Sequence, residues 1–302
     1  MSKIVVSGGT GLIGRALTTE LIQTGYEVIL LTRRQRSYHT VVGPRYVQWD
    51  AITVGKWELE LDGAEAVINL AGASIGGGLW TRSRKQSILN SRLDAGRALV
   101  AAVEKCKYKP RMFIQASAIG IYGTSETEEK SEDSPLGNDH LAGIGRQWED
   151  STKAVESMGL ERVIIRTGVV LDLKEGAFPM ILLPFRFFVG GRLGTGRQWF
   201  SWIHLDDEVG AILHIIRNGN GGIFNLTAPN PVTNNDLAKV IGRSLHRPKW
   251  FPVPGFALRL FLGEMSMLVL DGQKVLPEHL LATGYKFHFE HIKDAIKDVL
   301  SR

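Results

Sequence analysis

A doubly wound α/β sheet with parallel strands, carrying a smaller C-terminal substrate or cap lobe, is the fold class this 302-residue chain predicts. Three observations point there. Short apolar runs alternate with amphipathic helical stretches through the first half, the pattern of βαβ units. A glycine-rich turn joins the first run to the first helix. Beyond Val170 the alternation breaks into Gly- and Pro-rich sequence before helices resume.

Lys3-Ile4-Val5-Val6-Ser7 reads as a short buried strand. Leu12 to Thr24 reads as a helix, with Ile13, Leu17 and Leu21 on one face and Gly25 as its stop. Strands follow at Glu27 to Thr32, Tyr46 to Trp49 and Ala66 to Leu70. A long helix covers Leu89 to Lys105, Met112 to Ala116 is the fifth strand, Trp148 to Met158 is helical, and Arg162 to Arg166 is the sixth strand. The glycines and prolines between Leu171 and Trp202 predict loops that organise a cleft. Ala211 to Arg217 reads as a helix, Ile223 to Leu226 as a late strand and Asn234 to Leu245 as a helix, and the tail from Lys249 reads as a small apolar cap. Residues 1–175 then form a first α/β domain to which 205–228 returns. Residues 176–302 form the substrate or cap region, with a small C-terminal domain from about 249.

Composition narrows the function. Apolar residues make up 44%, ordinary for a packed core. Lys and Arg exceed Asp and Glu by 36 to 31, but they are scattered, so no nucleic-acid stripe is expected. Two basic clusters stand out: Arg33, Arg34 and Arg36, and Lys105, Lys107, Lys109 and Arg111. The second reads as a solvated helix end. Cys106 is the single cysteine, which excludes an intramolecular disulfide and fits a reducing compartment. Met1 to Lys3 lead straight into a strand, with no signal peptide. Arg259 and Glu264 interrupt the most lipid-like stretch, Val253 to Leu270, so no membrane span is expected. A cytoplasmic protein with a small-molecule partner and no metal follows. Its oligomeric state is left open.

Ser7-Gly8-Gly9-Thr10-Gly11-Leu12-Ile13-Gly14 carries the sharpest chemistry. A pyrophosphate-binding turn needs a residue free to take positive φ, a backbone with no side chain in the ligand's way, and close packing of helix on strand. The helix start then offers unpaired N–H groups and a positive dipole end. Glycines at 8, 11 and 14, between a strand and a helix, supply all three, as in the Rossmann fold. The second strand ends Leu31-Thr32-Arg33-Arg34 without an acid. A carboxylate there would hold the ribose hydroxyl of NAD, whereas an arginine suits the 2′-phosphate of NADP. Arg33, with Arg34 beside it and a hydroxyl from Thr32, therefore selects NADP(H); solvated surface arginines are the alternative.

These residues, with Asn69-Leu70-Ala71-Gly72 and Ser117 to Gly123, resemble an extended, atypical short-chain dehydrogenase/reductase. Further segments are similar to its epimerase-like subgroup of nucleoside-diphosphate-sugar epimerases with a small C-terminal domain. They are Ser91-Arg92, Trp148-Glu149, Arg166 to Leu171, Leu183 to Arg186, Gly194 to Gln198, Trp202 to Asp207, Ala228 to Asn234 and Gly272 to Pro277. The resemblance runs nearly end to end. It implies that Leu70, Ala71 and Gly72 line the adenosine side, that Ser91 approaches from the long helix, and that Gly168 and Val169 lie by the nicotinamide.

The chain departs from that family where protons move. Members use a Tyr-x-x-x-Lys pair, whose lysine lowers the tyrosine pKa, and a nearby Ser or Thr. Four residues after Tyr26, Tyr38, Tyr46, Tyr108, Tyr122 and Tyr285 come Leu30, Val42, Asp50, Met112, Glu126 and Phe289. Counted back from Glu149, the pair's positions are Leu141 and Gly145. Four residues before Tyr122-Gly123 stands Ala118, with Ser117 one place earlier. The remaining acid/base candidates are Tyr122, Ser117 and His204, each with a structural alternative: a satisfied core hydroxyl for Tyr122, and a turn-fixing imidazole for His204. Gln198, Trp199 and Trp202 are candidates for a substrate lid, and Arg186 for an anionic substrate group; interlobe packing is their alternative.

Two functions fit. One is an NADP-dependent oxidoreductase or epimerase-like enzyme acting on a nucleotide-sugar or carbonyl compound with unusual proton handling. The other is a non-catalytic NADP(H)-binding sensor or regulatory protein. A methyltransferase using S-adenosylmethionine fits the glycine turn less well and leaves Arg33 unused.

Overall fold

Alternate residues of the first strand feed two different cores, and this sets the architecture. Ile4 and Val6 pack with Leu17, Leu21 and Ile212, while Val5 packs with Leu99, Phe113 and Val155. A strand whose residues are buried on both faces belongs inside a sheet covered by helices on each side. The computed structural model describes residues 2–34, 43–219, 221–249 and 251–302. Arg36 lies outside them.

The chain opens with β1 (Lys3–Ser7), α1 (Leu12–Gln23), β2 (Glu27–Thr32), β3 (Arg45–Gln48), β4 (Ala66–Asn69) and α2 (Arg82–Lys105). Next come β5 (Met112–Ala118), β6 (Glu129–Lys130), α3 (His140–Asp150), β7 (Glu161–Thr167), β8 (Val169–Leu171) and α4 (Phe178–Arg186). Then follow β9 (Trp199–Phe200), β10 (Trp202–His204), α5 (Leu205–Asn218), β11 (Gly222–Leu226), β12 (Val232–Thr233) and α6 (Asn234–Ser244). The tail holds α7 (Gly255–Leu262), α8 (Met267–Leu270), β13 (Lys274–Val275), α9 (Glu278–Ala282) and α10 (Ile292–Ser301).

Seven strands form one parallel sheet in the order β11-β7-β5-β4-β1-β2-β3. The order reverses between β1 and β4, which opens the crevice where such sheets bind ligands. Across that crevice Ser7 donates to Asn69 at 2.7 Å, and Asn69 donates to Gln115 at 2.9 Å. This buried amide chain ties the C-terminal ends of β1, β4 and β5 together. A third core joins α4, α6 and α10 through Phe178, Leu182, Phe185, Leu237, Ile241 and Ile296.

Several boundaries differ from the sequence expectation. The stretch expected as loops between Leu171 and Trp202 contains α4. Phe178, Leu182 and Phe185 repeat at helical spacing, and Pro179 sits in the first turn, where its missing N–H costs nothing. Helix α2 begins at Arg82, seven residues before expected, because Thr81 caps it by accepting from the Arg84 amide. Helix α3 begins at His140, where Asp139 accepts from the Ala142 amide, and ends at Asp150, so the helix expected over Trp148 to Met158 is divided, its second part being a 3-10 segment at Lys153–Met158. In the tail, α7 buries none of its residues, and Phe256, Leu260 and Phe261 are 73%, 78% and 76% exposed. Among the described residues no helix is long and apolar enough to cross a membrane.

Candidate functional site

The glycine turn is held by backbone contacts that leave no room for side chains. Gly8 has φ +74°, and a Cβ there would lie 2.5 Å from the Leu70 carbonyl. A Cβ on Gly14 would lie 2.4 Å from the Gly8 carbonyl oxygen. The Gly11 amide donates to that same oxygen at 3.0 Å, closing the turn. Gly9 presses on Leu30 of β2, Ile13 packs on the core, and Thr10 accepts from Arg15 through its carbonyl. Gly11 caps α1 without a side-chain hydrogen bond, so the amides of Leu12 and Ile13 face outward with the helix dipole behind them.

Gly8 also abuts the Leu70–Ala71 peptide, which brings the loop after β4 against the turn. Ser91 fixes this loop by accepting from the Ala73 amide at 2.9 Å, and Arg92 donates to the Ala73 carbonyl at 3.0 Å. Gly72 lies against the Arg92 side chain. At the end of β2, Arg33 and Arg34 are exposed, whereas Thr32 is buried with its hydroxyl against the Arg34 backbone at 3.3 Å.

Beyond this edge lies a cleft of about 260 Å³. Ala118, Leu141 and Gly145 all line it. The three positions at which the family would place a hydroxyl, a phenol and an ammonium therefore do converge, but they carry none of these groups. Trp80, Trp148, Trp199, Phe200 and Ile144 complete a largely apolar wall. Gly168 and Val169 form the floor, and Gly168 is pinned because a Cβ would meet the Ser201 carbonyl oxygen at 2.8 Å. Gln198 also lines the cleft; its amide nitrogen donates to the carbonyls of Leu193 and Val269, and its oxygen has no partner among the described residues.

The other nominated side chains point elsewhere. Ser117 donates to Glu149 at 2.6 Å, and Arg166 meets both Glu149 oxygens at 2.9 Å. Arg166 also donates to the Tyr122 hydroxyl at 2.9 Å, and Tyr122 donates to Asn225 at 2.7 Å. All five are buried, burial pushes the Tyr122 phenol up, and neither Ser117 nor Tyr122 lines the cleft. His204 caps α5, accepting from the Asp206 amide at 3.1 Å, and burial holds its pKa down. Asp206 and Asp298 near it would suit a metal ion, but Arg302 bonds both and brings the positive charge itself. Trp202 is fully buried in the third core, and Arg186 is exposed at the end of α4; neither lines the cleft.

One pair escaped the sequence reading. Thr167 lines the cleft beside Gly168 and donates to Glu208 at 2.8 Å. Glu208 is wholly enclosed, and its other oxygen has no partner among the described residues. Desolvation pushes it up to about 8, so it is a neutral acid at pH 7. Its only sequence signal is an acid one place past Asp206-Asp207, on the face of α5 that turns inward.

Residues 4–142 match the model of the NAD dependent epimerase/dehydratase family, and residues 253–299 match a domain of unknown function, DUF1731. The chain is 42% identical over 300 residues to the epimerase family protein YfhF of Bacillus subtilis, covering 99% of this chain and 98% of that one. The crystal structure of human epimerase family protein SDR39U1 with NADPH is 32% identical, with a TM-score of 0.88 over 99% of both chains. A dTDP-glucose 4,6-dehydratase from Streptomyces venezuelae, 18% identical, covers 99% of this chain and 95% of its own with a TM-score of 0.78, a likeness of fold.

Proposed function

The chain belongs to the NAD-dependent epimerase/dehydratase family of extended short-chain dehydrogenases/reductases, and on that premise we propose that it is an NADP-dependent oxidoreductase whose proton handling does not use a Tyr-Lys pair. The observation that carries this reading is the glycine turn locked against the loop that leads into the cleft. Cβ atoms at Gly8 and Gly14 would collide with backbone, and what remains is a cradle shaped for a diphosphate. The Leu12 and Ile13 amides would hold it. Arg33 and Arg34 are exposed at the end of a strand that offers no acid, where a 2′-phosphate would lie, and the similar human protein carries NADPH.

The nicotinamide, when bound, supplies or accepts a hydride at the Gly168–Val169 floor. Thr167 is the hydroxyl on that floor; by turning from Glu208 it gives its own proton to a substrate oxygen and accepts one from the neutral Glu208 behind it. After the transfer Glu208 is left as a buried carboxylate, which takes a proton back from water through Thr167. A sensor is the second reading, favoured by one observation: Ala118, Leu141 and Gly145 leave the usual catalytic positions blank. Turnover of a carbonyl and nucleotide-sugar panel with NADPH separates the two. Turnover that falls at least tenfold in Thr167→Val supports the enzyme; tight NADPH binding without turnover of any panel member supports the sensor.

A further inference from the structure

We propose that the cleft takes an apolar, uncharged carbonyl compound with a planar ring system, and not a nucleoside-diphosphate sugar. The proposal rests on the NADP-dependent reading and names its substrate class. A diphosphate needs cations free to form charge-assisted, preferably bidentate, hydrogen bonds. Among the described residues lining the cleft the permanent cations are Lys85 and Arg92, and each already has partners, Arg92 through its Nη1. Lys85 pairs with Glu264 at 2.7 Å. Arg92 donates to the carbonyls of Ala73 and Ile88 at 3.0 and 2.9 Å and lies 4.7 Å over the Trp148 ring.

The acids in the cleft add repulsion. Asp139 and Asp271 both line it, and Asp271 is raised by burial and by Asp139. Over the part of the wall formed by Leu141, Ile144 and Ala118 a sugar hydroxyl would find no polar partner, and stripping it of water there without compensation disfavours binding. A planar ring instead finds the indoles of Trp80, Trp148 and Trp199 in the wall, apolar surface that suits an aromatic ligand. Gly145 blocks a simple return to sugar chemistry, because a side chain there would press on Ile121 at 3.0 Å.

The test uses the full chain saturated with NADP+, its loading checked by displacement of NADPH fluorescence. The probe is prodan, an uncharged naphthyl ketone whose emission moves to the blue in apolar surroundings, with UDP-glucose as the opposing ligand. We expect saturable prodan binding with a blue shift that UDP-glucose does not displace. Leu141→Asp, half-buried and on the cleft wall, should weaken prodan at least tenfold while leaving NADPH affinity within twofold. A blue shift undiminished in Leu141→Asp would place the dye on the exposed face of α7 and overturn the proposal. So would saturable UDP-glucose binding, or no prodan binding to loaded protein. If NADPH itself fails to bind, the cofactor reading falls first and this one with it, a result distinct from the other three.

Discussion

The two ends of the crevice are built on opposite terms. At the cofactor end the backbone does the recognising, and side chains are excluded by collision at Gly8 and Gly14. At the substrate end the wall is made of side chains from α2, α3, β7, β9 and α8, and the backbone only holds them apart. The first end tolerates almost no change. The second carries Ala118, Leu141 and Gly145 where the family resemblance implies a hydroxyl, a phenol and an ammonium, while the fold stays intact.

The sharpest probe of the substrate end is the enclosed acid. Glu208 titrates near 8 in the fold against about 4.5 when unfolded, so stability of the cofactor-free protein falls as pH rises from about 4.5 to about 8 and is flat beyond. Glu208→Gln removes that slope. Denaturant titrations should find the variant more stable than the parent above pH 8, by up to roughly 5 kcal/mol, with little difference at pH 4. Equal slopes would mean that Glu208 is hydrated.

At the other end Gly14→Ala should lower NADPH affinity at least a hundredfold, about 3 kcal/mol, because the new methyl group displaces the Gly8 carbonyl. Nicotinamide fluorescence reads it, and an unchanged affinity would erase the contrast between the ends. Tyr122→Phe tests whether the buried network belongs to either end. It should cost about 2 kcal/mol of stability, since Arg166 and Asn225 lose a buried partner, and leave NADPH affinity unchanged. The smallest effect is expected of Arg33→Ala: about tenfold weaker NADPH binding, near 1.4 kcal/mol, with NADH unaffected. Parallel losses for both dinucleotides would remove Arg33 from phosphate recognition.

The same contrast explains what the sequence could show. The glycine turn is contiguous, and its strand and helix flanks are readable at once. The blank positions are legible too, because Ala118, Leu141 and Gly145 lie at fixed distances from Tyr122 and Glu149. Glu208 was hidden because its partner Thr167 is 41 residues away. The buried fate of Ser117 and Tyr122 was hidden for the same reason: Asn225 reaches Tyr122 across 103 residues. Helix α4 was masked by the glycines and prolines around it, although Phe178, Leu182 and Phe185 carry its period.

The edge strand β11 has a consequence for how the molecule is made. It pairs with β7, yet α4, β9, β10 and α5 lie between the two in the chain. A ribosome has therefore delivered the part of the cleft wall carried by β9 before the main sheet can close, and a nascent chain stopped near residue 175 would present the backbone of β7 as an open ladder. Isolating the nucleotide-binding half by cutting there should yield a sticky fragment, whereas carrying the cut past Leu226 supplies the missing border.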